Sequence, residues 1–238
     1  MTKKLKVGVI GLGSMGSTHL DIYEQLSNVE VIAIADSIQS RLDGSSKAEG
    51  NISGQAQGGV MSMDTKKYLD GMDLINDPEI ELVDICVGTD LHFIFVEAAL
   101  AKGKHVLVEK PLARTYEEAK KIVQLAKNSS SNIMSAMCLR YWPAWVWLKE
   151  AIESEEYGKC LSLNCKRQTS FPGGSFYSSH NQCGGALLDL HVHDTDFINY
   201  CFGVPVSVFS QGYKGPSGGI DHVVTNYIFD KENFSPLV

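Results

Sequence analysis

The chain has 238 residues, 44% hydrophobic and 21% charged, the make-up of an ordinary globular protein long enough for one large domain or two modest ones. A net charge of −7 with four arginines (Arg41, Arg114, Arg140, Arg167) is unsuited to tracking a phosphate backbone, which sets nucleic acid aside as a partner. No apolar run is long enough to span a bilayer, and glycines interrupt the stretch after Lys3, Lys4 and Lys6 too early for a signal peptide.

Taken in chain order, residues 5–10 form a short apolar run ending in glycine, as a buried parallel strand does. Apolar residues at helical spacing over 14–26 predict a helix, and 29–35, closed by Asp36, predicts a second strand. From 37 to 63 the pattern dissolves into Gly, Ser, Gln and Asn, which reads as a long surface excursion. Strands at 82–87 and 105–108 flank a helix at 91–101. A helix over 115–126 follows, with Thr115 as N-cap and Glu118 completing a capping box, and then a fifth strand at 133–137. This alternation means βαβ units and a parallel sheet. Trp142, Trp145 and Trp147 read as packing residues of a further helix, and 206–213 and 222–229 as longer strands. The six cysteines show no CxxC spacing, so they read as buried thiols in a reducing, cytoplasmic compartment.

Gly11-Leu12-Gly13-Ser14-Met15-Gly16 is a GxGxxG placed after a strand and opening a helix. Gly11 permits the tight turn, Gly13 lets backbone approach a pyrophosphate and Gly16 lets helix and strand pack closely. The N–H groups of the first helical turn, at Ser14 and Met15, then face the phosphates. Asp36 lies 20 residues after Gly16, where a carboxylate accepts from the adenosine ribose. That charge favours NAD over NADP, although Ser37 and Arg41 stand near enough to help a 2′-phosphate.

The segment Gly103-Lys104-His105-Val106-Leu107-Val108-Glu109-Lys110-Pro111 resembles the GKHVxxEKP signature of the Gfo/Idh/MocA oxidoreductases, which include glucose–fructose oxidoreductases and inositol dehydrogenases. The resemblance runs from residue 5 to about 229, and Gly184 to Asp194 is similar to the family's GGxxxDxxxH segment. It implies that Lys110, Asp189 and His193 are catalytic, that Glu109 and Lys110 border the cofactor, and that the bond before Pro111 is cis. Thr89 to His92 is similar to the family's TPxxxH turn, where Thr89 and His92 approach the cofactor, although Asp90 replaces the usual proline and one residue fewer is present. Arg140 matches an arginine near the substrate pocket.

The residues themselves point the same way. Lys110 follows the C-terminal end of a strand, where ligands bind in open α/β sheets, and Pro111 restricts it to extended geometry. Asp189 and His193 are spaced i, i+4 in a helical run, which places both on one face, with the carboxylate able to tune the imidazole. The cluster His191, His193, Asp194 and Asp196 suggests a metal, but residues i and i+2 of one helix point apart, so no metal is expected.

The expected fold class is α/β: a Rossmann dinucleotide-binding domain over 1–138, then an α+β domain over 139–238 with a mainly antiparallel sheet. Relatives continue that sheet, so here it is expected to be incomplete, leaving an apolar face that a homo-oligomer would cover. The leading reading is an oxidoreductase moving hydride between NAD(P) and a secondary alcohol of a sugar, inositol or related polyol. The alternatives are a nucleotide-sensing regulator without chemistry and, from another branch of the family, a glycoside hydrolase that uses NAD transiently.

Overall fold

The computed structural model describes residues 3–46, 64–172 and 174–229. They fall into two units, Met1–Ala136 and Met137–Val238.

In the first unit β1 (Leu5–Ile10) and β2 (Val29–Ala35) have the bounds that their apolar runs predict. The helix between them, α1 (Ser14–Tyr23), stops three residues before the expected end, its carbonyls closed by turns at Glu24, Gln25 and Leu26. A short helix, α2 (Gln39–Leu42), opens the excursion after β2 and buries Leu42; residues 47–63 of that excursion lie outside the described residues.

The next pair was not legible in the pattern. β3 (Lys66–Tyr68) is a three-residue edge strand, and α3 (Gly71–Asn76) is opened by Asp70, whose side chain accepts from the Met72 N–H. Then follow β4 (Leu82–Ile85), α4 (His92–Ala101), β5 (His105–Val108), α5 (Tyr116–Asn128) and β6 (Ile133–Ser135). The expected capping box holds: Thr115 Oγ1 accepts from the Glu118 N–H, and Glu118 accepts from the Thr115 N–H.

All neighbouring strands of this unit pair in parallel, in the order β3-β2-β1-β4-β5-β6. The chain order reverses between β1 and β4, and ligands of such sheets bind at the strand ends beside that switch point. Val83, Ile85, Val106 and Val108 of the inner strands are buried with Val96, Ala99 and Leu100 of α4 and Ile122 of α5. Burying each such valine, leucine or isoleucine contributes about 1.5–3 kcal/mol of transfer free energy, which holds the helices onto the sheet that carries these strand ends.

In the second unit α6 (Pro143–Ser154) begins with proline at its first turn, where a missing N–H costs nothing. Short helices α7 (Gly174–Tyr177), α8 (His180–Cys183) and α9 (Gly185–Asp189) lead to α10 (Val192–Phe202) and the antiparallel pair β7 (Ser207–Lys214) and β8 (Ile220–Ile228). Ile198 and Phe202 of α10 pack with Tyr227 and Phe229 at the end of β8. Of the three tryptophans only Trp145 packs as expected, edge-on to buried Phe197 with ring centroids 4.6 Å apart. Trp142, which precedes α6 as its N-cap, and Trp147, beside the Tyr157 ring, are exposed.

Candidate functional site

The loop leaving β1 explains each glycine of the fingerprint. Gly11 has φ of +91°, and a side chain there would press on the Cys86 carbonyl. At Gly16 a Cβ would lie 1.8 Å from the Gly11 carbonyl oxygen, so α1 approaches the loop only because that atom is missing. Gly13 differs, since a Cβ there meets nothing within 4 Å. It caps α1 without offering a side chain to the first turn, leaving open space in front of a helix N-terminus. That space fits a dinucleotide pyrophosphate.

Asp36, at the end of β2, is buried and folded back onto this loop. Its Oδ2 accepts from the Leu12 N–H at 2.8 Å and its Oδ1 from the Ile38 N–H at 2.8 Å. Arg41 reaches the same carboxylate at 3.3 Å, so its charge is engaged beside the loop. Each carboxylate oxygen can accept twice; Oδ2 does so from Leu12 and Arg41, and Oδ1, engaged once by Ile38, keeps capacity for a ribose hydroxyl.

The loops after β4 and β5 meet through His92. Its Nδ1 lies 2.8 Å from the Pro111 carbonyl and its Nε2 3.2 Å from that of Val87. Burial depresses its pKa, and in its neutral form the ring donates to one of these carbonyls and packs against the other. With no exposed surface, His92 holds the two loops together from beneath, and Thr89 beside it is buried at the start of a single 3₁₀ turn. The Lys110–Pro111 bond is cis, as the resemblance implied. Glu109 is buried, and one of its oxygens accepts from the Lys110 backbone N–H at 2.9 Å.

In the second unit the paired glycines of the second motif have a clear cause. Gly184 and Gly185 both take positive φ, +80° and +69°, to turn α8 into α9. Asp221 on β8 secures that turn, accepting from the Ala186 N–H and from the N–H and hydroxyl of Ser217.

The single helix expected across Asp189 and His193 is not formed. Asp189 ends α9 and His193 lies in the first turn of α10, with the break at Leu190 and His191, where the His191 N–H reaches back to the Ala186 carbonyl. The shared-face argument for Asp189 and His193 therefore fails, whereas His191, whose carbonyl accepts from the Thr195 N–H, opens α10 with His193 in the same helical turn. Other bonds occupy that cluster. His191 Nε2 lies 3.0 Å from Thr225 Oγ1, Asp194 forms a two-pronged pair with Arg167, and Asp196 forms one with Arg140. Arg140 also lies over the Tyr200 ring at 4.6 Å. Lys110 belongs to the first unit and Arg140, Asp189 and His193 to the second.

One network escaped the sequence reading, which names only Glu109 of its members. His19 of α1, Asp84 of β4 and Glu109 at the end of β5 join in a buried network under the glycine loop. The available signal was an aspartate inside the otherwise apolar run of β4.

Family comparison places these features. Residues 5–137 match the model of the oxidoreductase family with an NAD-binding Rossmann fold, and 145–231 match the GFO/IDH/MocA C-terminal domain. The chain belongs to the Gfo/Idh/MocA oxidoreductase family. It is 28% identical over 227 residues to the myo-inositol 2-dehydrogenase of Thermotoga maritima, covering 92% of this chain and 64% of that one. It is 33% identical over 198 residues to the inositol 2-dehydrogenase of Salmonella paratyphi B, covering 82% of this chain and 54% of that one. Among solved structures, levoglucosan dehydrogenase in complex with NADH and levoglucosan superposes with a TM-score of 0.82 at 26% identity, over 99% of this chain and 66% of that one. The chain thus spans less than two thirds of the length of these inositol dehydrogenases. No helix among the described residues is long and apolar enough to cross a membrane.

Proposed function

We propose that this Gfo/Idh/MocA chain carries the dinucleotide site and the alcohol-handling residues of an NAD-dependent dehydrogenase acting on a secondary alcohol of an inositol, sugar or related polyol. The observation that carries this reading is the open space at Gly13 beside the carboxylate of Asp36, at the switch point of the sheet. Bound there, the nicotinamide supplies the hydride acceptor or donor.

The protein's own part is binding and proton handling. Gly11, Gly13, Gly16 and the first turn at Ser14 and Met15 take the pyrophosphate, and Asp36 takes the ribose. The negative charge at Asp36, with Arg41 already drawn onto it, favours NAD over NADP; Ser37 completes this edge. Thr89, His92, Glu109 and Lys110 shape the nicotinamide end. We assign His193 as the base that takes the hydroxyl proton and Lys110 as the cation that polarises the same oxygen. Asp189 orients His193 or binds a neighbouring hydroxyl, and the Arg140–Asp196 pair borders the substrate. The relatives named as inositol dehydrogenases and the levoglucosan complex support a polyol or sugar substrate.

The six thiols form no disulfide, which fits a reducing cytoplasmic setting. The test is NADH titration by fluorescence, followed by a panel of inositols and sugars scored by NADH formation. Binding of NADH and oxidation of at least one polyol is the expected result; a chain that binds no NADH refutes the reading.

A further inference from the structure

Beneath the glycine loop, His19 places Nδ1 2.8 Å from Asp84 Oδ2 and Nε2 3.2 Å from Glu109 Oε1. Tyr23, one turn further along α1, donates its hydroxyl to the same Asp84 oxygen at 2.9 Å. Cys86 Sγ stands 3.3 Å from His19 Nδ1 and 3.5 Å from Asp84 Oδ1. Asp84 has no exposed surface and Glu109 is 8% exposed. A neutral imidazole has one N–H and can serve one carboxylate; carboxylates on both ring nitrogens require both protons. Two buried carboxylates without a cation between them would also repel.

We propose that His19 is a positioning residue of the dinucleotide site: a buried imidazolium that ties the helix behind the glycine loop to Asp84 on β4 and to Glu109 at the head of the Glu109-Lys110-Pro111 turn. The tie continues through Glu109, whose other oxygen holds the Lys110 N–H, so one cation fixes both the glycine loop and the strand end that carries Lys110. This rests on the dinucleotide reading above.

The charges around the ring agree. Burial works against a charged His19, but Asp84, Cys86 and Glu109 outweigh it and hold its pKa far above the ordinary value. Burial alone would raise the Glu109 carboxyl, yet His19 and Lys110 hold it below its usual range. Burial and Asp84 push the Cys86 thiol up, and the same two causes push up the Tyr23 hydroxyl, so both stay neutral. His19, Asp84 and Cys86 also converge as metal ligands would, but a metal would have to displace the proton held in the 2.8 Å contact of Nδ1 with Asp84.

The experiment uses the whole chain and NADH. Imidazole-nitrogen NMR should show both His19 nitrogens protonated from about pH 6 to about pH 9, beyond the range of an ordinary histidine. His19→Gln keeps size and hydrogen bonding but removes the charge; it should weaken NADH binding about tenfold. It should also give binding a new acid limb, because Glu109, still buried and now without its cation, takes up a proton at higher pH. Adding Glu109→Gln should remove that limb, which a histidine with a merely structural role would not create. A neutral His19 near pH 7, or a His19→Gln variant with the parent's affinity and pH profile, overturns the proposal. Should His19→Gln not fold, Glu109→Gln alone decides: it should lower the pH at which His19 titrates, and an unchanged titration overturns the tie. A parent chain that binds no NADH refutes the dinucleotide reading itself, a result distinct from a parent and variant that bind equally.

Discussion

Asp36 accepts a hydrogen bond from the Leu12 backbone N–H at 2.8 Å, so the carboxylate that ends β2 and the glycine loop that follows β1 hold each other in place. The same carboxylate also draws in Ile38 and Arg41, which makes it a structural post as well as a charge. Two effects of one substitution follow. NADH should bind more tightly than NADPH to the parent chain, and Asp36→Ala should narrow that gap while lowering stability by about 1–2 kcal/mol through the lost backbone partners. Paired fluorescence titrations and a thermal melt check both; tighter NADPH binding by the parent would refute the preference.

Lys110→Ala and His193→Ala should each slow turnover of a polyol substrate by about 100-fold or more, and His193→Ala should leave NADH affinity nearly unchanged. Steady-state rates beside NADH titration separate the two readouts. Parent-like turnover in both variants would remove these residues from the chemistry.

What could be read from the residues, and what could not, follows the range of the forces involved. β1, β2 and β5 were legible because each is a short apolar run bounded by polar or glycine residues, and the capping box at Thr115 is a purely local device. β3 was not, since Lys66, Lys67 and Tyr68 owe their strand to pairing with β2 rather than to an apolar pattern. The break between α9 and α10 was hidden because 185–202 keeps helical spacing, while the bend at Leu190 and His191 is set by contacts distant in sequence, such as His191 with Thr225. His19 was missed for the same reason: its partners lie 65 residues and more away.

Asp77 gives a pH-dependent prediction within that missed segment. Burial pushes its carboxyl up, but Lys66, the Glu79 N–H and the Tyr68 hydroxyl outweigh it and hold the pKa below the usual value. A depressed folded pKa stabilises above the unfolded value, about 4, and the benefit disappears as pH falls through the folded value. Asp77→Asn should therefore be less stable than the parent at neutral pH by about 1–2 kcal/mol, and the difference should shrink below about pH 4. Urea melts at neutral pH and near pH 3 measure it; an equal gap at both would assign the loss to something other than charge.

The Arg167–Asp194 pair is a deeply placed ion pair of the second unit, with both prongs at 2.9 Å and Asp194 3% exposed. Removing one partner leaves the other charge poorly solvated, so Asp194→Ala should cost about 3 kcal/mol. Arg167→Lys should recover little, because a single ammonium cannot meet both carboxylate oxygens as the guanidinium fork does. Denaturant melts of the two variants decide, and a fully stable Arg167→Lys would show that charge alone suffices.

The last prediction concerns assembly. All eight residues of β7 are exposed, Val208 and Phe209 at 52% and 57%, and Val224 and Ile228 of β8 add 50% and 46%. Tyr227 and Thr225 of β8 are buried in their unit, and by the register Val208 lies on their side, whereas Phe209 and Tyr213 share the opposite face with Val224 and Ile228, an exposed face of large apolar side chains set among polar ones. Soluble monomers rarely leave such a face to water. A second copy can cover it with the same surface, and closed two-fold pairs are the commonest arrangement. We therefore expect this chain to form a dimer or higher oligomer through β7 and β8. Phe209→Glu with Val224→Glu should shift it toward monomer, since facing copies would have to bury the new charges. Light scattering across a dilution series, on the parent and the double variant, measures the assembly. A parent chain that stays a well-behaved monomer at micromolar concentration would show that this face needs no partner.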